Sequence, residues 1–150
     1  NRLLVTKINI KFINPPNPIG NFVNIRYSQN LAYISGQGPL DDNSKLITGK
    51  VGKDLNLDEA YDAARRTGIT ILSIIKRDIG FEKVKKIIKI LGLVNCTVDF
   101  IQQPKVINGC SDLFIEVLGE KGKHARSALG VYVLPNNIPV EIETIIELTD

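Results

Sequence analysis

The side chains best suited to chemistry gather near the C-terminal end. Arg126 is followed by the small residues Ala128 and Gly130, and then by Glu141 and Glu143. A guanidinium fork is the group that grips a carboxylate through two parallel hydrogen bonds. Small neighbours leave room above it for a ligand or a second chain. A second feature is Ser35-Gly36-Gln37-Gly38-Pro39, a glycine-rich strand exit that lets backbone N–H groups come close to a ligand. No Ser/His/Asp or Cys/His arrangement offers a covalent nucleophile. With one histidine, His124, and two cysteines, Cys96 and Cys110, outside any CxxC, no His-rich metal site can be built. His124, close to Arg126, reads as a hydrogen-bonded or exposed residue at a loop edge. The chemistry on offer is noncovalent handling of a small carboxylate-bearing metabolite, without metal or nucleotide cofactor. The plainer alternative is that Arg126 and the glutamates coat a wet sheet face.

These groups need a frame. Val5 to Phe12 alternates and stops at Pro15-Pro16-Asn17-Pro18, which predicts a first strand. Phe22 to Tyr27 and Leu31 to Ser35 predict two strands joined at Ser28-Gln29-Asn30. Asn56, with Glu59 at the third helical position, forms a capping box. Leu57, Ala60, Tyr61, Ala64, Gly68, Ile71, Leu72 and Ile75 then mark one apolar stripe of a helix ending near Asp78–Gly80. Phe81 is placed to dock the next segment, and Lys86 to Val98 is β-branched and apolar. A second helix is expected from Pro104 to Gly119, with Val106, Ile107, Cys110, Leu113, Phe114 and Val117 inward. Ala125 to Val133 and Ile138 to Leu148 predict a closing hairpin around Pro135-Asn136-Asn137. The sum is an α+β domain spanning residues 1–150, with two helices on one sheet face.

Period-2 alternation sorts the last strands. Val140, Ile142, Thr144, Ile146 and Leu148 should face the helices, with Glu141, Glu143, Ile145 and Glu147 opposite. Ser127, Leu129, Val131 and Val133 should share one face, and Arg126, Ala128, Gly130 and Tyr132 the other, beside the carboxylates. A hairpin centred near Asn136 would set Arg126 and Glu141 roughly 15 Å apart along the sheet, too far for one small ligand. A site using both must then lie between subunits.

Composition excludes other classes. The hydrophobic fraction of 43% and charged fraction of 23% are those of a globular protein. No apolar run is long enough to span a membrane. The net charge of +3 is modest, and no aromatic-plus-basic surface suggests nucleic acid. Lys83, Lys85, Lys86 and Lys89, interleaved with Val84, Ile87, Ile88 and Ile90, read as the wet side of an element. The cysteines read as small core hydrophobes in a reducing compartment, so a cytoplasmic protein is expected. The chain begins at Asn1 rather than Met, which leaves room for an upstream targeting segment.

Ile34-Ser-Gly-Gln-Gly-Pro39, Asn108, and above all Ala125-Arg-Ser-Ala-Leu-Gly-Val-Tyr-Val-Leu-Pro135 leading into Val140-Glu-Ile-Glu143 resemble the RidA/YjgF family, also called the L-PSP endoribonuclease family. The resemblance runs from about Asn17 to Leu148. It implies a chorismate-mutase-like fold of the bacillus type, a mixed sheet, and a homotrimer with clefts between subunits. The activity it implies is hydrolysis of reactive 2-imino or enamino acids, such as 2-iminobutanoate, to a 2-oxo acid and ammonia. By the same resemblance Arg126 grips the substrate carboxylate and Glu141 positions the attacking water. Ser35, Gly36 and Asn108 line the pocket. Phe22 stands where the deaminase branch has tyrosine, and Ala128 where it has cysteine. The Gly119-Glu-Lys-Gly-Lys123 loop is longer than the pattern. A trimer that binds metabolite or acts as a chaperone without turnover is the alternative, and RNA cleavage stands behind both.

Overall fold

The computed structural model describes residues 9–150, and the first half of the predicted strand from Val5 falls outside them. Its described end, residues 9–12, belongs to no strand, although Ile10 and Phe12 pack on the core. Phe12 meets Phe81 with ring centroids 5.7 Å apart, so Phe81 packs against the N-terminal segment rather than the following one it was expected to dock.

Strand β1 (Ile25–Ser28) turns at Gln29, φ 53°, into β2 (Leu31–Gln37) as an antiparallel hairpin. Helix α1 (Leu57–Asp78) follows. Asn56 accepts from the Glu59 amide at 2.9 Å and Glu59 accepts from the Asn56 amide at 3.1 Å, the reciprocal cap expected from sequence. Strand β3 (Val84–Asn95) is next. Its buried residues Val84, Ile87 and Ile90 recur every third position, because register shifts fall between Val84 and Lys86 and between Ile87 and Lys89. Those irregularities explain why the lysine-rich stretch shows neither a clean strand nor helix period. Helix α2 (Gln103–Leu118) carries Pro104 in its first turn and stops at Gly119, φ 63°. Every inward residue predicted for it is buried. A short 3₁₀ turn (Gly119–Gly122) leads to β4 (Ala125–Val131), and a second (Pro135–Asn137) leads to β5 (Val140–Leu148).

The strand order is β1-β2-β5-β3-β4, which corrects the expected terminal hairpin. β4 runs parallel to β3 at the sheet edge, and β5 lies antiparallel between β2 and β3. The reason is the intervening helix. β3, α2 and β4 form a βαβ crossover, which returns the chain parallel to its starting strand. The loop after β4 then passes the end of β3. There the fully buried Asn95 donates from Nδ2 to Asn137 Oδ1 at 3.0 Å and to the Ile138 carbonyl at 3.1 Å.

This pairing also corrects the face assignment. Arg126 and Thr144 both pair with buried Ile90, while Leu129 and Glu141 both pair with Leu93. Arg126, Ala128 and Gly130 therefore face the helices. Glu141, Glu143, Ile145 and Glu147 lie on the open face with Leu129 and Tyr33, as expected for β5 but not for β4.

The helices cover the other face and touch each other closely. A Cβ on Gly109 would lie 2.1 Å from the Tyr61 carbonyl oxygen, so backbone meets backbone there. Tyr61 also donates to Asp112 at 2.6 Å, and Arg65 pairs with Glu116 at 3.0 Å. Gly109→Ala should force the helices apart and lose on the order of 2–3 kcal/mol despite alanine's better helix propensity. Denaturant unfolding of the variant checks this, and an unchanged midpoint would mean that the crossing is looser than described.

Candidate functional site

The residues singled out from sequence fall into two groups on opposite faces. The first surrounds Arg126, partly buried at the edge strand under α2. Its Nη1 donates to Asn108 Oδ1 at 2.8 Å and to Ser111 Oγ at 3.0 Å, and Nη2 donates to the Pro104 carbonyl at 3.2 Å. Asn108 and Ser111, three apart on α2, present their polar ends on one side of that helix. Ala128 pairs with Gly92, over which α2 presses so tightly that a Cβ on Gly92 would lie 2.6 Å from Ile107 Cδ1. Side-chain space beside Arg126 is thus kept small.

His124 belongs to this group, a role the sequence did not reveal. Its Nδ1 lies 2.6 Å from the Gly122 carbonyl and its Nε2 lies 2.9 Å from Ser111 Oγ. Its ring stands edge-on to Phe114, centroids 5.9 Å apart. Burial first, and the nearby Arg126 charge, hold its pKa below the ordinary histidine value. The long Gly119–Gly122 turn puts it there. A Cβ on Gly122 would meet the Phe114 carbonyl oxygen at 2.2 Å, so this turn lies directly on the helix backbone. The signal available in sequence was Asn108 and Ser111 spaced by three. Their orientation toward Arg126 depends on a strand pairing the sequence left open.

The second group surrounds Glu141. Phe22, Gly36 and Glu141 line one cleft of about 250 Å³ with Ile19, Leu46 and Ile138. Gly36 lies against the carboxylate, where a Cβ would come within 2.9 Å of Glu141 Oε2. The β2–β5 pairing is irregular between Ile34 and Gln37, and this opens the space. Ser35 donates from Oγ to the Val23 carbonyl at 2.7 Å, and its amide donates to Asn24 at 2.9 Å. Ser35 therefore anchors the segment that carries Phe22. Glu141 is half-buried. Burial, and then the neighbouring Glu143 charge, raise its pKa above the usual carboxylate value.

Arg126 and Glu141 do not meet within one chain. They are separated by β3 and three register positions, roughly 14 Å between Cα atoms. They also point from opposite faces. The expected separation therefore holds, but for a different geometric reason. Cys96 and Cys110 are free and buried, as expected of core residues, and burial pushes the Cys110 thiol upward. Among the described residues no helix is long and apolar enough to cross a membrane.

A five-stranded mixed sheet with two helices on one face defines a single α+β domain of the chorismate-mutase-like kind. The chain belongs to the YjgF/chorismate mutase-like endoribonuclease family, whose model matches residues 3–148. TCP17 of Trypanosoma cruzi is 34% identical over 146 residues, covering 96% of this chain and 91% of that protein. The crystal structure of Atu1372 from Agrobacterium tumefaciens is 36% identical, with a TM-score of 0.87 over 97% of this chain and 91% of that one. TdcF of E. coli, solved with bound serine, shares the fold at 21% identity and TM-score 0.65, covering 93% of this chain and all of that one.

The raised Glu141 pKa makes a stability prediction. A carboxyl that holds its proton more tightly when folded favours the fold below its unfolded pKa, and this contribution disappears as pH rises through the folded value. Glu141→Gln should therefore melt higher than wild type at pH 7, with the gap closing toward pH 3. Melts recorded across that range check it, and a gap that widens in acid would refute it.

Proposed function

We propose that this protein hydrolyses reactive 2-imino acids to 2-oxo acids and ammonia, in clefts formed between neighbouring copies of a homotrimer. The observation that carries the reading is the division of the site. A guanidinium backed by Asn108 lies on one face, and a carboxylate beside Gly36 and Phe22 lies on the other. Each half lacks what the other holds. The open sheet face supports assembly, because among the described residues no second layer covers the apolar surface of Tyr33, Leu129 and Ile145 there. Ile145 belongs to that surface, whereas Ala128 and Gly130, first expected in it, lie under α2.

The chemistry follows from the groups. Arg126 of one copy takes the substrate carboxylate bidentately and fixes the reacting carbon. Glu141 of the neighbour accepts a hydrogen bond from one water and takes its proton as the oxygen bonds to the iminium carbon. That proton passes to nitrogen, Glu141 then takes the hydroxyl proton as the C=O forms and the C–N bond breaks, ammonia and the 2-oxo acid leave, and Glu141 returns its proton to solvent. A protonated imine is already electrophilic, so no covalent intermediate or cofactor is needed. The serine in TdcF fits a ligand with a carboxylate and a nitrogen on one carbon. A trimer that binds such acids without turnover is the second reading. Phe22 favours it, since its ring brings no hydroxyl to the Glu141 cleft.

Ammonia release from freshly generated 2-iminobutanoate is the test. Arg126→Ala should lose roughly 2–5 kcal/mol of binding to 2-oxobutanoate by calorimetry, and Arg126→Lys should also bind poorly. Folded Arg126→Ala and Glu141→Ala trimers, mixed under verified subunit exchange, should regain part of the activity. No recovery would disprove the shared cleft. Phe22→Tyr should raise turnover if the missing hydroxyl limits it, and an unchanged rate in a folded variant would remove the main support for the non-catalytic reading.

A further inference from the structure

We propose that Ser111 and His124 are positioning residues. They lock one end of the Arg126 guanidinium so that its Nε–Nη2 edge is the face offered to a carboxylate. This rests on Arg126 being the carboxylate grip, as proposed above.

The argument is a count of hydrogens. A guanidinium has five N–H donors in a rigid plane. Both Nη1 hydrogens are used, by Asn108 Oδ1 at 2.8 Å and Ser111 Oγ at 3.0 Å, and one Nη2 hydrogen goes to the Pro104 carbonyl at 3.2 Å. Among the described residues, no acceptor meets the Nε hydrogen or the second Nη2 hydrogen. Because both Nη1 hydrogens are used, the Nε–Nη2 edge is the side of the guanidinium that can still offer two parallel donors to the oxygens of one carboxylate.

His124 fixes the direction of the Ser111 hydroxyl. The Gly122 carbonyl can only accept, so His124 Nδ1 carries the ring proton and Nε2 carries the lone pair. Ser111 then donates its single hydrogen to Nε2 and turns an oxygen lone pair toward Nη1. Without His124 the hydroxyl could rotate and place its own hydrogen against the guanidinium. The relay thus runs from the Gly122 carbonyl through His124 and Ser111 to Arg126. Its origin lies in the tight docking of Gly122 on the Phe114 carbonyl.

The test uses the full chain and three variants. Ser111→Ala removes the acceptor while suiting a helix. His124→Phe keeps a ring against Phe114 but removes both nitrogens, and His124→Gln returns an amide oxygen where Nε2 was. Side-chain spectra of protein labelled with ¹⁵N-arginine should show separate, slowly exchanging Arg126 Nη signals in wild type and in His124→Gln. The signals should average in Ser111→Ala and His124→Phe. Calorimetry with 2-oxobutanoate should show about tenfold weaker binding in Ser111→Ala and His124→Phe, the scale of one lost charge-assisted hydrogen bond, and recovery in His124→Gln. Equal melting temperatures identify variants that are folded. If Ser111→Ala and His124→Phe match wild type in both measurements, or His124→Gln fails as badly as His124→Phe, the positioning role is overturned. If wild type takes up no 2-oxo acid, the functional reading fails instead, and the Arg126 spectra alone decide whether the guanidinium is locked.

Discussion

The pairing of β3 on both edges is the constraint on which the rest of the structure depends. β4 joins it in parallel because α2 carries the chain back over the sheet, and β5 joins its other edge antiparallel. Once both ladders are set, alternation leaves no freedom in where the flanking side chains point. The row through Ile90 sends Arg126 under α2, and the row through Leu93 sends Glu141 to the open face. The anchor for this arrangement is Asn95, buried at the end of β3, which binds the loop leading into β5. A buried amide is costly unless bonded, so those contacts hold the crossing in one geometry.

A second consequence is electrostatic. Arg126 has donors with no acceptor among the described residues, and Glu141 lies among apolar residues beside a like charge, which disfavours its ionised form. Each group is incompletely compensated in the isolated chain. Bringing one to the other across an interface would relieve both. In the proposed trimer, assembly would therefore create the site rather than merely stabilise the subunit.

The third consequence is steric. The site-bearing elements are held by backbone contacts that side chains would prevent. Gly36 admits the Glu141 carboxylate, and Gly122 lays its turn on α2. Close contacts of this kind transmit position with little slack, since interiors are packed to near-crystal density. The His124–Ser111–Arg126 chain draws its geometry from one of them.

Much of this was legible from residues alone. The Asn56–Glu59 cap, the apolar stripe of α1, the inner face of α2 from Val106 to Val117 and the alternation of β5 are local patterns, and local patterns are set by periods of 3.6 and 2. The motif around Arg126 and Glu141 also pointed to the family. What sequence could not decide was non-local. Two strands around Pro135-Asn136-Asn137 look like a hairpin whether or not a third strand lies between them, because the intervening β3 is distant in sequence. The face of Arg126, its contact with Asn108 and Ser111, and the recruitment of His124 all depend on that insertion. Local chemistry therefore fixed most of the elements and singled out the candidate residues. The tertiary ladder alone decided which of those residues meet, since register is a property of pairs of strands and not of either strand by itself.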